Sequence, residues 1–200
     1  MRILQPVDED EVIAAFLRAE LDSERYGPKL RGLLDRDGRG ESVLRRPDLA
    51  SADDNAYRRA LLDEHRAFER REGLFQGFPR HVDWHRAVFT REELLEIRYI
   101  NWDWWLRISE GSRRPADAAA RIRAGEIPGA TAHDEEPIAV GLGAPGAPEL
   151  IAATTSALAP VVLVEGHGRL TAAALFPELV PDELELLLGI SAEMAAWSEF

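Results

Sequence analysis

The chain has 200 residues, a formal net charge of −12 at pH 7 and no cysteine, with 46% hydrophobic and 30% charged residues. The lack of cysteine excludes disulfides, thiol catalysis and cysteine-ligated metal, and the composition is typical of a globular protein that buries a core. No apolar run approaches the roughly 18 residues of a membrane span and the N-terminus lacks a signal-peptide core, so we expect a cytoplasmic protein without membrane contact.

The charge is unevenly distributed along the chain. Residues 126–200 contain 12 acidic residues and one basic residue, Arg169, whereas residues 1–125 are nearly balanced, with 24 acidic and 23 basic residues. Binding to a nucleic-acid duplex relies on many Lys and Arg contacts to phosphate, so we expect no nucleic-acid partner. A small anion held by one set of donors is compatible with this background, because solvent ions screen distant carboxylates.

The first hundred residues are predicted to be mostly helical. Residues 8–21 begin with carboxylates, which are favourable at a helix N-terminus, and then place apolar residues on one face. Residues 51–73 have a capping residue, an apolar face and a terminal glycine, which together predict a helix. Residues 27–42 contain four Gly and one Pro and are predicted to be a loop, and the aromatic stretch 74–89 is predicted to be irregular.

The middle of the chain has two clear helix-start signals. Thr90 and Glu93 have the spacing at which a cap residue and the third helical residue satisfy each other's backbone donors. Pro115 lies in the first turn of a helix predicted over 115–125, and residues 101–109 fit either a helix or a strand.

Beyond residue 126, short apolar runs flanked by Gly and Pro predict buried strands. These runs cover 137–142, 149–154, 161–165 and 184–190, with a helix predicted over 169–176. The order strand, turn, helix, strand predicts a small sheet covered on one face by helices. We therefore predict an α+β fold.

We expect two regions in this fold. A mostly helical N-terminal region covers residues 1–104, and it packs on an α/β region over residues 105–200. The alternative is that the two regions form one continuous domain.

The stretch VVLVEGHGRLTAAALF (161–176) predicts a strand, a Gly-X-Gly turn and a helix in direct succession. The first N–H groups of a helix have no internal partner and attract anions, and Gly166 and Gly168 allow the backbone to approach a ligand closely. Arg169 would add a planar fork that matches two phosphate oxygens. The stretch therefore predicts a phosphate-binding turn. The alternative is a tight turn in which Arg169 pairs with Glu165 or with the acids around Asp182.

The motif in this stretch resembles the signature turn of the ParB/sulfiredoxin-like superfamily, in which a strand leads into Gly-x-x-Arg at the head of a helix. Gly166 matches the family glycine, Arg169 matches the family arginine, and His167 occupies a position that is also histidine in the kinase-like members. Gly168 departs from those members, which have a second histidine there. The resemblance covers roughly residues 105–190. It implies a small mixed sheet with helices, a nucleotide whose phosphates contact the motif, and a catalytic role for His167.

Three further residues are candidates for the chemistry. Glu165 ends the strand before the turn, where it would bind a nucleotide-bound Mg²⁺ or accept a proton, unless it only pairs with Arg169. Asp103 lies among three tryptophans in NWDWW, whose indoles would desolvate the carboxylate, raise its pKa and suit it to general-base catalysis. Arg114, just before a predicted helix start, is the best candidate for a second anion contact. For HVDWH (81–85), packing or surface roles are favoured over a metal site, so no metal ligand is predicted.

The sequence predicts two classes of function. The first is a protein that binds a nucleotide or another small phosphorylated ligand; if this protein is an enzyme, it would be a phosphotransferase or a nucleotide hydrolase. The second is a non-catalytic interaction or regulatory protein that retains the fold. In that case the aromatic block 74–105 would be the surface for a protein partner, because exposed Trp and Phe commonly anchor interfaces.

Overall fold

A computed structural model describes all 200 residues, which fold around one five-stranded mixed sheet. The strands are β1 (Arg2–Pro6), β2 (Asp83–Thr90), β3 (Ile151–Thr154), β4 (Val161–Glu165) and β5 (Glu183–Ile190). Their order across the sheet is β1-β2-β5-β3-β4; β3 and β5 are parallel, and the other neighbouring pairs are antiparallel. The predicted α+β class is confirmed.

Nine α-helices surround this sheet. They are α1 (Glu9–Leu21), α2 (Gly27–Arg36), α3 (Ser42–Arg45), α4 (Ala52–Arg66), α5 (Arg91–Leu95), α6 (Asp103–Ile108), α7 (Pro115–Arg123), α8 (Ala132–Gly141) and α9 (His167–Leu175). Three short 3-10 turns cover Gly73–Phe75, Pro177–Leu179 and Ala192–Ala196.

Both faces of the sheet are buried. Successive side chains of a strand point to opposite faces, and in β4 Val162 and Val164 enter one hydrophobic core while Leu163 enters the other. The first core is completed by α1 to α4, and the second by α5, α7 and α9, with α8 packed on α9. The expectation that helices cover only one face is therefore wrong. The N-terminal helices, which the sequence did not assign to the sheet, cover the second face.

The predicted boundary at residue 104 does not divide the sheet. Strands β1 and β2 come from the region predicted to be mostly helical, and β2 pairs with β5 along its whole length, from Asp83 opposite Ile190 to Thr90 opposite Glu183. The two predicted regions consequently share one sheet and its cores.

Three local predictions are wrong. Residues 74–89, predicted to be irregular, contain most of β2. Residues 27–42, predicted to be a loop, contain α2, in which Pro28 lies in the first turn, where its missing N–H costs nothing. Residues 137–142, predicted to be a strand, lie mostly in α8, whose cap Thr131 accepts a hydrogen bond from the N–H of Asp134 at 3.3 Å. A short apolar run does not distinguish a strand from a helix, and here the upstream cap and carboxylates favour the helix.

Several other elements follow the sequence pattern. The predicted runs at 149–154, 161–165 and 184–190 contain β3, β4 and β5, and the helix predicted over 169–176 is α9. The capping box before α5 is confirmed: the Thr90 hydroxyl accepts from the N–H of Glu93 at 3.3 Å, and the Glu93 carboxylate accepts from the N–H of Thr90 at 3.0 Å. These signals involve residues that are close together in the chain, so they depend little on tertiary contacts.

Candidate functional site

The turn between β4 and α9 requires a glycine at position 166. Gly166 has a φ of 107°, in the left-handed region that side chains disfavour. A Cβ at this position would lie 2.3 Å from Cδ2 of Leu150, a buried side chain. Gly166 therefore allows β4 to run directly into α9, with no intervening loop.

The head of α9 presents backbone donors that have no partner. The first N–H to bond inside the helix is that of Leu170, which donates to the Gly166 carbonyl at 2.9 Å, and no side chain caps the helix. The N–H groups of His167, Gly168 and Arg169 are consequently unpaired. Gly168 is exposed, and no heavy atom lies within 4 Å of the place that its Cβ would occupy. The positive end of the helix dipole is thus open to a ligand at Gly168.

The side chain of Arg169 is engaged by the protein itself. Its Nη1 donates to the carbonyl oxygens of Pro148 and Glu149, the latter at 3.0 Å, and its Nη2 donates to Oε1 of Glu165 at 3.2 Å. The alternative in which Arg169 pairs with Glu165 is the observed arrangement. Arg169 ties the head of α9 to the segment that enters β3, and its guanidinium is not free to act as the main phosphate fork.

The Glu165–Arg169 pair is costly in its surroundings. The two side chains are 20% and 16% exposed. Burial raises the pKa of the Glu165 carboxyl although the Arg169 guanidinium opposes this, and burial lowers the pKa of Arg169 although Glu165 opposes that. Both pKa values move toward neutralisation, because desolvation outweighs the mutual attraction of the charges. Such perturbed groups in a cleft are typical of functional sites.

His167 is a neutral imidazole at the cavity wall. It is 9% exposed, and its ring stacks on the indole of Trp105 with centroids 4.9 Å apart. Burial, together with the charges of Arg169 and Arg66, lowers the pKa of His167 to about 3. The ring is therefore neutral at neutral pH and does not act as a cationic general acid, and its buried Nε2 has no hydrogen-bond partner.

A cavity of about 680 Å³ opens at the turn. This volume falls within the usual range for small-molecule sites. Glu165, Gly166, His167, Gly168 and Arg169 all contribute to its wall. The remaining wall comes from distant parts of the chain: the ends of α1 and α4, the start of α2, the segment 100–105, and α8. The predicted turn therefore lies in a built cavity.

The N-terminal region contributes several polar residues to this wall that the sequence did not indicate, among them Glu20 in α1, Arg25 and Tyr26 just before α2, and Arg66 at the end of α4. Glu20 is 2% exposed, accepts from Nε of Arg66 at 3.0 Å, and lies 2.5 Å from Nε2 of the buried His65. A weak signal was present, because Glu20 follows the buried Phe16 by four residues and so interrupts the apolar face of α1. An acidic residue on an apolar face requires a buried partner, but the sequence does not say which one.

Two predicted site residues lie elsewhere. Asp103 is exposed at the start of α6, so the indoles of its neighbours do not desolvate it, and the argument for a general base is lost. Arg114 is also exposed and forms a two-pronged ion pair with Glu96, at 2.6 and 2.5 Å. Neither residue contributes to the cavity wall.

The aromatic block 74–105 is mainly core. Phe75, Phe78, Trp84 and Phe89 are each 5% exposed or less. Trp104 is the exception: it is 42% exposed and lies in the cavity wall with Trp102 and Trp105. The block therefore offers a partner one exposed indole at the cavity mouth, and not an aromatic surface.

The charges of the cavity wall are paired, with one exception. Glu20 is bound by Arg66, Glu165 by Arg169, and Asp22 by Arg45 at 2.9 Å. Arg25 is exposed, makes no ion pair, and lies with its Cζ 4.9 Å from the centroid of the Tyr26 ring. The wall thus has one uncompensated positive charge, which favours an anionic ligand over a cationic one.

The chain matches no family model, no curated protein and no solved structure. No group of three or more His, Asp or Glu side chains is placed to hold a metal ion, and none of the helices has the length and apolar character that crossing a membrane requires.

Proposed function

We propose that this protein binds a nucleotide or another small phosphorylated ligand in the cavity at the head of α9. One observation carries the proposal: three residues with unpaired backbone N–H groups, at the start of a nine-residue helix, line a cavity of about 680 Å³. A helix start of this kind is favourable for phosphate, because its donors and dipole both attract negative charge. The unpaired Arg25 adds an attractive charge at the same cavity.

In this proposal the motif residues have separate roles. The N–H groups at Gly168 and its neighbours donate to phosphate oxygens, and Gly166 permits the turn that presents them. Arg169 stabilises the turn through its contacts to Glu165 and to the segment before β3. The order of strand, Gly166, Arg169 and helix supports the further proposal that the turn is of the ParB/sulfiredoxin-like type, with its arginine used structurally.

The indoles of Trp102, Trp104 and Trp105 would provide an apolar wall for the rest of the ligand. Trp105 already stacks on both His167 and Tyr99, with centroids 4.9 and 4.6 Å apart, and Trp104 has Arg107 at 4.6 Å from its ring centroid. A planar base stacks favourably on an exposed indole. The exposed Trp104 at the mouth supports a ligand with a planar ring.

If the protein is catalytic, the reaction that we propose is phosphoryl transfer or nucleotide hydrolysis, with Glu165 as the proton acceptor. Burial raises the pKa of the Glu165 carboxyl, so this pKa lies closer to neutral pH than that of an ordinary glutamate, which suits acid–base catalysis. Mg²⁺ does not fit the wall as a protein-ligated ion, because Glu20, Asp22 and Glu165 are each engaged by an arginine. Any Mg²⁺ would arrive on the phosphates of the nucleotide.

Two substitutions at one position test this function. Gly168→Glu places a carboxylate at the exposed head of α9, where it is favourable for the helix but competes with an anionic ligand. Gly168→Gln has nearly the same size without the charge. Ligand binding is measured by thermal shift with ATP, ADP, CTP and inorganic pyrophosphate, since a ligand of the folded state stabilises it in proportion to the logarithm of its concentration.

The wild-type protein should gain stability with at least one of these probes, by about 2.7 kcal/mol at one hundred times its dissociation constant. The Gln variant should retain most of this gain and the Glu variant should lose it, while both unliganded proteins unfold near the wild-type temperature. A wild-type protein that gains nothing from any probe, or a Glu variant that binds as well as the Gln variant, rejects the proposal.

A second candidate function is supported by the exposed apolar side chains at the cavity mouth. Trp104 and Ile138 are 42% and 39% exposed, and both lie in the cavity wall. We propose as the alternative that these two residues contact a protein partner and that the cavity holds a side chain of that partner. The nucleotide panel separates the two proposals, because the alternative predicts no gain in stability with any nucleotide.

A further inference from the structure

Two arginines share one tyrosine ring in the cavity wall. Cζ of Arg66 lies 3.7 Å from the ring centroid of Tyr26, and Cζ of Arg25 lies 4.9 Å from the same centroid. All three residues belong to the wall of the cavity at the head of α9. Two guanidinium groups are thus concentrated at one tyrosine in the wall of a cavity for which the sequence predicted Arg169 and Arg114 as the anion contacts.

Buried neighbours hold the Arg66 side chain in place. Its Nε and Nη2 both donate to Oε1 of Glu20, the former at 3.0 Å, and Oε2 of Glu20 lies 2.5 Å from Nε2 of His65. Glu20 and His65 are 2% and 5% exposed, so this support is almost dry. Nη1 of Arg66 makes no hydrogen bond to a carboxylate or backbone oxygen of the chain. Glu20 therefore fixes one edge of the guanidinium, while the opposite edge has no carboxylate partner, and the Tyr26 side chain is the other polar group that Arg66 contacts.

The charge of Arg66 reaches the head of α9. It favours the ionised form of Glu165 and disfavours protonation of His167, so the guanidinium acts on both residues that flank Gly166. Arg66, His167, Gly168 and Arg169 all line the same cavity. An anion in this cavity is attracted both by the guanidinium of Arg66 and by the positive end of α9.

We propose that Arg66 and Arg25 bind the anionic group of the cavity ligand, and that Glu20 and His65 are positioning residues that fix Arg66. This proposal rests on the proposed function, since it names the side chains that hold the charged part of the same ligand. The guanidinium of Arg25 forms no ion pair, so no charged partner within the protein accounts for it. A preorganised guanidinium loses little side-chain entropy when it binds, so its hydrogen bonds to a charged oxygen contribute strongly.

The experiment uses the full chain and compares a neutral ligand with charged ones that contain the same base. Adenosine, ATP and inorganic pyrophosphate are titrated by isothermal calorimetry at constant ionic strength. The variants are Arg66→Met, Arg66→Lys, Arg25→Met and Glu20→Gln. The matched control is Arg70→Met, which removes a half-exposed arginine from just beyond α4 that pairs with Asp63 and lies outside the cavity wall.

For ATP and pyrophosphate, Arg66→Met should weaken binding by about 10-fold or more, because hydrogen bonds to a charged group are lost. Arg66→Lys should recover part of this loss, since it retains the charge without the fork. Arg25→Met should weaken both ligands by roughly 3-fold or more. Glu20→Gln should weaken them less than Arg66→Met, while adenosine binding and the control variant stay near wild type.

Four results would overturn this inference. If Arg66→Met is folded and binds ATP and pyrophosphate as the wild type does, Arg66 is not the anchor, although the proposed function stands. If Arg66→Met loses adenosine and ATP equally, the residue only shapes the cavity. If Arg66→Met does not fold, Arg66→Lys and Arg25→Met test the inference instead. Unchanged affinity of both variants for ATP and pyrophosphate then rejects it. If the wild type binds none of the three probes up to about 1 mM, the inference is rejected, and the proposed function fails with it when ADP and CTP also give no thermal shift.

Discussion

Nη2 of Arg169 lies 3.2 Å from Oε1 of Glu165, one helical turn earlier in the chain, and Nη1 of the same guanidinium donates to the carbonyl of Glu149. One side chain thus joins the end of β4, the head of α9 and the segment that enters β3. The only basic residue among the last 75 is therefore explained by the fold, independently of any ligand.

We predict that Arg169→Met destabilises the protein by about 3 kcal/mol, because it leaves the Glu165 carboxylate and two carbonyl groups with fewer partners in a largely dry environment. The free energy of unfolding is measured by urea denaturation. The double variant Arg169→Met with Glu165→Gln should be more stable than Arg169→Met alone, since no unpaired charge remains. An Arg169→Met protein as stable as the wild type would show that this pair contributes nothing to the fold.

The two glycines of the turn should respond differently to alanine. Gly166→Ala forces a side chain into a φ of 107° and against Leu150, so we expect a loss of at least about 2 kcal/mol in the free energy of unfolding. Gly168→Ala meets open space on a helix, where alanine is the better residue, so its stability should be unchanged or up to about 1 kcal/mol higher. Equal losses at the two positions would contradict the described turn.

Acid should destabilise the protein through His167. Its pKa is lowered to about 3 in the folded state, from 6.5 for the unperturbed group, so the unfolded chain takes up a proton that the folded chain refuses. The stability that depends on this residue is complete above pH 6.5 and falls as the pH decreases toward 3. Between about pH 7.5 and 5 the loss should be about 2 kcal/mol.

This pH dependence is measured as the difference between the wild type and His167→Gln, which does not titrate. Between about pH 7.5 and 5, the unfolding free energy of the variant should fall by about 2 kcal/mol less than that of the wild type. Glu165 acts in the opposite direction, because its raised pKa makes the folded state bind a proton more readily than the unfolded chain as the pH falls. Parallel curves for the wild type and the variant would mean that His167 is accessible to protons in the folded protein.

Asp103 and Arg114 should be silent in ligand binding. Both are exposed and outside the cavity wall, so Asp103→Asn and Arg114→Met should leave the affinity for every probe unchanged within a factor of about 2 and change stability by less than about 0.5 kcal/mol. Isothermal titration and urea denaturation check both values. A loss of affinity in either variant would place the ligand closer to α6 or α7 than the cavity allows.

Much of the local structure of this chain follows from the sequence. The capping box of Thr90 and Glu93 starts α5 where it was expected, and the run from Val161 to Leu175 forms a strand, a glycine turn and a helix. Signals of this kind involve residues three or four positions apart, or the alternation along a single strand. They failed at α8, where an apolar run of six residues fits a helix as well as a strand.

The candidate site was predicted only in part. The sequence located the turn from Glu165 to Arg169. It predicted that Arg169 binds a phosphate, whereas in the structure Arg169 donates to backbone carbonyl groups and to the Glu165 carboxylate. It also favoured Asp103 because of its neighbours in the chain, whereas burial depends on which residues pack around a side chain. Arg66 and Tyr26 had no signal in the sequence that pointed to a cavity, because the turn that they face lies about a hundred residues further along.

By itself, the sequence determined the glycine between β4 and α9, the helix head whose first N–H groups have no partner within the helix and the excess of acidic residues in the last 75 positions. These features depend on covalent geometry and on composition, which do not change with the rest of the fold. The tertiary structure decided that the N-terminal helices cover the second face of the sheet and so bring Glu20, Tyr26 and Arg66 to the turn. Which charges are paired and which are free is a property of distances between remote residues, and only the folded chain sets those distances.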